Sequence, residues 1–205
     1  MAISRHYVPK ELLIQIYYGQ FHSHLSYGCQ LWGQNPNKIS QTFILKKKAV
    51  RLISFAHFQA HTDPLFKTLK MLKVMDIVKI NNVLFAHNVL NNKAPKHFKN
   101  YFTIKTINHI HQTINNPSSK YSIPKGSLTV PHINTNFGKQ QIKYICSENY
   151  NSILKSLTIK HSKKASPNET WMQKTNIAKL KSLIKEHLLE LYRGYYATLP
   201  SDFMY

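Results

Sequence analysis

A mainly α-helical fold is what this sequence predicts, and three observations carry that expectation. Apolar residues recur at three- and four-residue spacing through the first hundred residues and again near the C-terminus. Only 6 glycines occur in 205 residues, which disfavours a glycine-rich nucleotide-binding fold. Proline and asparagine clusters fall between the periodic stretches and punctuate them. The expected organisation is a helical, bundle-like region over 1–102, an irregular or β-rich linker over 103–170, and an amphipathic helix with a tail over 171–205.

Each element has its own signal. Pro9 suits a first helical turn and Glu11 suits a helix N-terminus. Leu13, Ile16, Tyr17, Phe21 and Leu25 then line one face, until Gly28 and Trp32-Gly33 end the segment. Gln34-Asn35-Pro36-Asn37 reads as a loop. A second helix is expected from about Lys38 to Ala56, with Ile39, Phe43, Leu45, Ala49, Val50, Leu52, Ile53 and Ala56 on one broad arc. Lys47, Lys48 and Arg51 fall on the opposite arc. Lys46 falls in the middle of the apolar arc, where it must carry its ammonium outward or meet a ligand. Pro64 opens a short turn, and Asp76 is a candidate N-cap for a third helix through Leu90. Ile77, Ile80, Leu84 and His87 make the inner stripe of that helix, and Val78, Phe85 and Val89 widen it into the most buried of the set. Asn91 to Pro95 breaks it, and His97 to Phe102 is a short amphipathic piece. Residues 103–136 lack a helical period, carry Pro117, Pro124 and Pro131, and have room for short strands such as Leu128-Thr129-Val130. A second polar linker covers 155–170. The last helix is expected from about Met172 to Tyr192, with Ile177, Leu180, Leu183, Ile184, His187, Leu188 and Leu191 as its apolar stripe. Lys181 and Lys185 lie on one flank of it, Glu186 and Glu190 on the other, and Gly194 suits its C-terminal stop.

Charge narrows the function. Against 28 Lys and Arg stand only 8 Asp and Glu, for a formal net charge of +20. Among the cations only Arg5, Arg51 and Arg193 are arginine, and such a Lys-, Asn- and Ile-rich mixture is what AT-rich coding produces. That bias does not explain the shortage of acids. A charge of this size concentrates polyanions around the protein, so the phosphate backbone of RNA or DNA is the expected partner. No stretch is apolar for long enough to span a membrane, and no signal-peptide h-region is present. The expected location is intracellular, cytoplasmic or nuclear.

Enzymatic classes fare poorly. Two-metal phosphoryl transfer needs several convergent carboxylates, and here only Glu186 and Glu190 are close in sequence, on what reads as a solvated helix face. There is no Walker loop, Gly-x-Ser-x-Gly or His-Glu-x-x-His. The histidine pairs His22/His24 beside Cys29, His57/His61 and His109/His111 lack the second thiolate or carboxylate of a zinc site. Cys29 and Cys146 cannot form a disulfide scaffold, and they read as ordinary buried thiols. Tyr17, Tyr18, Tyr27, Trp32, Tyr192, Tyr195 and Tyr196 could stack bases, but their helical registers favour the core. No catalytic residue, metal, cofactor or small-molecule substrate is therefore expected.

The run His24-Leu25-Ser26-Tyr27-Gly28-Cys29-Gln30-Leu31-Trp32-Gly33 resembles the P-H-L-x-Y-G…W-G segment downstream of the polymerase palm in jockey-type non-LTR retrotransposon reverse transcriptases. In the same order, Leu45-Lys46-Lys47-Lys48-Ala49-Val50-Arg51-Leu52-Ile53 is similar to that family's L-Q-K-K-A-I-R-x-I. Ala60-His61-Thr62-Asp63-Pro64-Leu65-Phe66 with Leu69 and Leu72 is similar to A-H-T-x-P-L-F-x-x-L-x-x-L. Phe137-Gly138-Lys139 with Ile142, Tyr144 and Asn151 resembles a later F-G-x-x-x-I-x-Y…W-N-S-L-P run, and the last helix resembles F-K-x-x-L-K-x-x-L. Ser23, Tyr150 and Ile153-Leu154 depart from the family's Pro, Trp and Leu-Pro. The resemblance implies a truncated copy of an RNA-directed DNA polymerase, its thumb and C-terminal part without the catalytic palm. It implies non-specific phosphate contacts, for which Lys46, Lys47, Lys48, Arg51, Lys139, Lys181 and Lys185 are the candidates. The alternative is a structural or protein-interaction remnant with no nucleic-acid role.

Overall fold

The computed structural model describes residues 7–105, 124, 126–161 and 171–194. The described residues are mainly helical, as expected. Their α-helices follow in order: α1 Lys10–Ile16, α2 Ser23–Ser26, α3 Cys29–Trp32, α4 Pro36–Ile53, α5 Thr62–Thr68, α6 Val74–Leu90, α7 Ile142–His161, α8 Trp171–Lys174 and α9 Ile177–Gly194. A π-helical turn, Tyr17–His22, joins α1 to α2, and 3₁₀ turns cover Lys96–Phe98 and Gly138–Gln140. The chain divides into two compact units, one of residues 1–78 with 185–205 and one of residues 79–184.

The first unit contains α1 to α5, the start of α6 and the end of α9. Its core is Leu13, Tyr17, Ala49, Val50, Ile53, Phe66 and Met71, with Val8, Phe21, Phe43 and Leu65 packed against them. Local chemistry explains where α4 starts. Asn35 is extended and its Oδ1 accepts from the amides of Asn37 (3.0 Å) and Lys38 (3.3 Å), and Pro36 occupies the first turn. The segment that reads as a loop is thus the cap and first turn of the helix. Gly28 adopts φ +57°, a left-handed conformation that turns α2 into α3 at no steric cost. At Gly33 the reason is space: a Cβ there would press on the Cys29 carbonyl oxygen and lie 2.7 and 2.9 Å from the Val78 methyls.

The second unit contains the rest of α6, the segments 93–105 and 126–141, α7, α8 and the start of α9. Ile80, Val83, Ala86 and Val89 on α6 are buried, as are Cys146, Tyr150, Ile153, Leu154 and Leu157 on α7. Ile104 and Leu128 form an isolated antiparallel bridge, flanked by the Lys105 amide to Ser127 O and the Thr129 amide to Thr103 O, both 2.8 Å. Beside it, Asn151 acts as a second strand edge. Its Oδ1 accepts from the Leu128 amide at 2.7 Å and its Nδ2 donates to Leu128 O at 2.9 Å. Both polar groups of a fully buried backbone residue are satisfied by one side chain.

Three expectations are corrected. Residues 142–161 are a 20-residue helix, not linker. Apolar burial at three- and four-residue steps, from Cys146 through Tyr150 and Ile153/Leu154 to Leu157, drives it despite many poor helix formers. The expected terminal helix is two: Trp171–Lys174, then α9, whose start Asn176 caps by accepting from the Ala178 amide at 2.9 Å. Asp76 lies within the first turn of α6 rather than at its cap. Pro117, His109, His111, Tyr195 and Tyr196 lie outside the described residues.

Candidate nucleic-acid interface

On α4, Lys46 turns inward, away from Lys47, Lys48 and Arg51, as its place on the apolar arc predicts. Lys46 is 1% exposed. Its Nζ lies 5.8 Å from the centre of the Tyr17 ring and 5.9 Å from that of Phe66. Burial there pulls its pKa from 10.5 down to about 7, although the Asp76 carboxylate acts in the opposite direction. Lys46 is therefore a core residue, and its place among the phosphate-binding candidates is corrected. The cause is register. Positions 43, 46, 50 and 53 are one stripe, and Phe43, Lys46, Val50 and Ile53 all turn toward the first unit's core.

The remaining candidates differ in how free they are. The half-buried Lys47 holds its ammonium 4.5 Å from the centre of the Phe43 ring. The half-buried Arg51 donates from Nε to Ala60 O at 2.8 Å, so its guanidinium braces the turn after α4. Lys48 is exposed. The apolar Ile44 and Leu45, one turn before it, are also exposed, so the expected place of Leu45 on the buried arc is corrected. Lys139 is exposed on the Gly138–Gln140 turn, Lys181 is exposed on α9, and Lys185 is half-buried.

Beside Lys46 lies a polar cluster that anchors the end of α9. The Tyr192 hydroxyl donates to Asp76 Oδ2 and accepts from the Lys73 amide at 3.0 Å. Lys73 pairs with Asp63 at 2.9 Å, with Nζ 5.1 Å from the centre of the Tyr192 ring. Burial first, then the Asp76 charge and hydrogen bond, push the Tyr192 phenol well above its ordinary value. Two of the chain's few carboxylates, Asp63 and Asp76, are thus already engaged within the first unit.

The second unit carries cations outside the expected set. Lys93, Lys96 and Lys99 are exposed at three-residue spacing where the chain leaves α6. Their regular spacing is visible in the sequence, but they lie on a break between helices rather than on a helix face. Asn92 and Asn100 hold left-handed conformations, φ +54° and +63°, at either end of this segment. Aromatic residues stand behind it. Phe98 meets Phe85 and Tyr101 edge-on, with ring centres 5.2 and 5.6 Å apart, and Phe102 meets Phe85 and Tyr101 in the same manner. Lys143 Nζ lies 5.5 Å from the Tyr101 ring centre.

Among the tyrosines, Tyr17 and Tyr150 are buried, but Tyr27 is 86% exposed. That corrects the expectation of core packing for Tyr27, whose carbonyl accepts from Trp32 Nε1 at 3.1 Å and whose ring faces solvent. Cys29 and Cys146 are buried and are not joined in a disulfide. Among the described residues no three His, Cys, Asp or Glu side chains gather as metal ligands, and no helix is long and apolar enough to cross a membrane. Comparison of the chain with protein-family models, with curated proteins and with solved structures finds no match.

Proposed function

We propose that this chain binds nucleic acid without sequence preference, through lysine contacts to phosphate, and that it corresponds to the thumb and downstream part of a non-LTR retrotransposon reverse transcriptase. The observation that carries the binding reading is charge that cannot be neutralised internally. Eight carboxylates can pair at most eight of 28 cations, and Asp63 and Asp76 are already engaged in the first unit. Exposed Lys48, Lys96, Lys99, Lys139 and Lys181 belong to both units. Polymerase or nuclease chemistry is not proposed for this chain: Asp63 and Asp76, which meet around Tyr192, are engaged by Lys73 and the Tyr192 hydroxyl. The retrotransposon origin is supported by the ordered motifs over residues 24–33, 45–53 and 60–72.

Fluorescence anisotropy with a 20-mer duplex and a 20-mer single strand at several salt concentrations tests the binding reading. Log affinity is expected to fall linearly with log salt, by about 0.9 per phosphate contact for duplex and about 0.7 for single strand. Different sequences of one length are expected to bind alike, because phosphate contacts carry no base information. Absence of binding at low salt to either probe overturns the reading.

A further inference from the structure

The departure from α6 encloses a cleft of about 270 Å³, lined by Val89, Asn92, Ala94, Pro95, Lys96, Phe98 and Lys99. This is just under the roughly 300–1,000 Å³ of sites for drug-sized ligands, so it suits a single ring system and not an extended molecule. Four of its walls are apolar: Val89 from the last turn of α6, Ala94 and Pro95 from the turn, and Phe98. The Phe98 ring is held by its edge-on contacts with Phe85 and Tyr101, so the wall is fixed before any ligand arrives. Asn92 adds an amide that can both donate and accept. Lys96 and Lys99 are both lining residues and exposed, and Lys93 is exposed next to Ala94.

An apolar slot with a single amide, ringed by lysines, matches an amphiphilic anion: a flat ring with phosphates on either side. We propose that this cleft receives one unstacked base of a single-stranded nucleic acid, while Lys93, Lys96 and Lys99 hold the flanking phosphates. A base in a duplex must first be unpaired and unstacked before it can enter, so the cleft favours single strands. An acidic peptide would use the lysines and leave the apolar walls without a partner. The inference rests on the nucleic-acid reading above, and it adds a strand preference that diffuse charge does not produce.

The test compares the full chain with Ala94→Phe, which fills the cleft and leaves every charge in place. The probes are a 12-mer single strand with a central 2-aminopurine, the 20-mer duplex, and a glutamate peptide with as many charges as the single strand. The unaltered chain is expected to change 2-aminopurine emission on binding. Ala94→Phe is expected to abolish that change and to weaken single-strand binding at least fivefold, with duplex affinity within twofold. Lys96→Gln/Lys99→Gln touches only exposed side chains and serves if Ala94→Phe does not fold. It is expected to reduce the single-strand salt slope by roughly 1.4, two contacts at about 0.7 each, and to remove most of the 2-aminopurine response; because the same lysines serve general phosphate binding, the duplex is not its control. Unchanged emission and affinity in Ala94→Phe, or in the double lysine variant an unchanged slope, overturn the cleft while duplex binding by the parent chain keeps the broader reading intact. A glutamate peptide that binds as tightly as the single strand, and is lost equally in Ala94→Phe, overturns the nucleobase in favour of a protein ligand. Failure of the parent chain to bind either nucleic acid removes both.

Discussion

At the scale of single residues, Lys46 is the most informative position. Its place on the apolar arc was legible in the sequence, and its burial was not. Helical register fixes which stripe a side chain joins, but only the packed neighbours Tyr17 and Phe66 decide whether a lysine stem can reach water. The energetic consequence has a definite sign. Unfolded Lys46 titrates near 10.5 and folded Lys46 near 7, so between those values the unfolded chain holds a proton that the folded chain has released. Stability therefore rises with pH from about 7 toward 10. Above 10 the trend reverses, because burial raises the phenols of Tyr17, Tyr150 and Tyr192, which then stay protonated in the fold and ionise only when unfolded. Each tenfold change in proton affinity is worth about 1.4 kcal/mol, so Lys46 costs the fold a few kcal/mol at pH 7. Lys46→Met is expected to stabilise the protein at pH 7 by about 1–3 kcal/mol, since a thioether of similar length fills the same space without a charge. Urea midpoints at pH 7 and 9.5 check both points. The parent should gain stability between the two pH values and the variant should not, and a variant less stable than the parent at pH 7 would show that Lys46 is charged and productively paired.

Among the elements, α7 shows how a helix can be hidden in its own composition. Ser147, Asn149, Asn151, Ser152, Ser156 and Thr158 are weak helix formers and, after a proline-punctuated stretch, read as a polar linker. The fold satisfies several of these polar groups locally. Ser156 and Thr158 donate to the carbonyls of Ser152 and Leu154, at 2.8 and 2.7 Å, and Asn151 clamps Leu128. What the propensities withhold, the burial of Tyr150, Ile153, Leu154 and Leu157 supplies. Asn151→Leu keeps the volume and leaves the Leu128 amide and carbonyl without partners. At about 1–3 kcal/mol for each buried unsatisfied group, the expected loss is roughly 2–5 kcal/mol. Chemical denaturation measures it, and faster hydrogen exchange at the Leu128 amide locates it. A loss below about 0.5 kcal/mol would mean that water replaces the clamp. In the first unit, Gly33→Ala forces a methyl against the Cys29 carbonyl and the Val78 methyls, and is expected to destabilise by about 1–3 kcal/mol, against the usual gain from removing a helix-terminal glycine. The companion change Val78→Ala should restore only part of that loss, because the Cys29 carbonyl stays in the way, and a double variant as stable as the parent would place the whole strain on Val78.

For the whole molecule, the sequence divides by composition and the fold divides by packing. Composition shifts put boundaries after residues 102 and 170, whereas the boundaries of the compact units fall at 78/79 and 184/185, inside two helices. The reason is long-range: Tyr192 reaches Asp76 and the Lys73 backbone across more than a hundred residues, so the end of α9 belongs with the first unit. No local window contains that information. The same redistribution changes the electrostatics. Lys47, Lys48 and Arg51 read as one phosphate-binding face, but folding seats Lys47 on Phe43 and ties Arg51 to Ala60. Exposed lysines elsewhere, such as Lys139, Lys179 and Lys181, carry no such ties to aromatic rings or backbone among the described residues. Neutralising a cation lowers the salt slope only as far as that cation displaced a counterion, so exposed side chains should matter most. Lys139→Gln/Lys179→Gln/Lys181→Gln is therefore expected to lower the duplex salt slope at least as much as Lys47→Gln/Lys48→Gln/Arg51→Gln, whose effect should be about 1, the share of Lys48. Anisotropy titrations of both triple variants on the 20-mer duplex decide the matter. A drop of about 2 or more confined to the α4 variant would mean that Lys47 and Arg51 leave Phe43 and Ala60 to meet phosphate, and that α4 is a focal site after all.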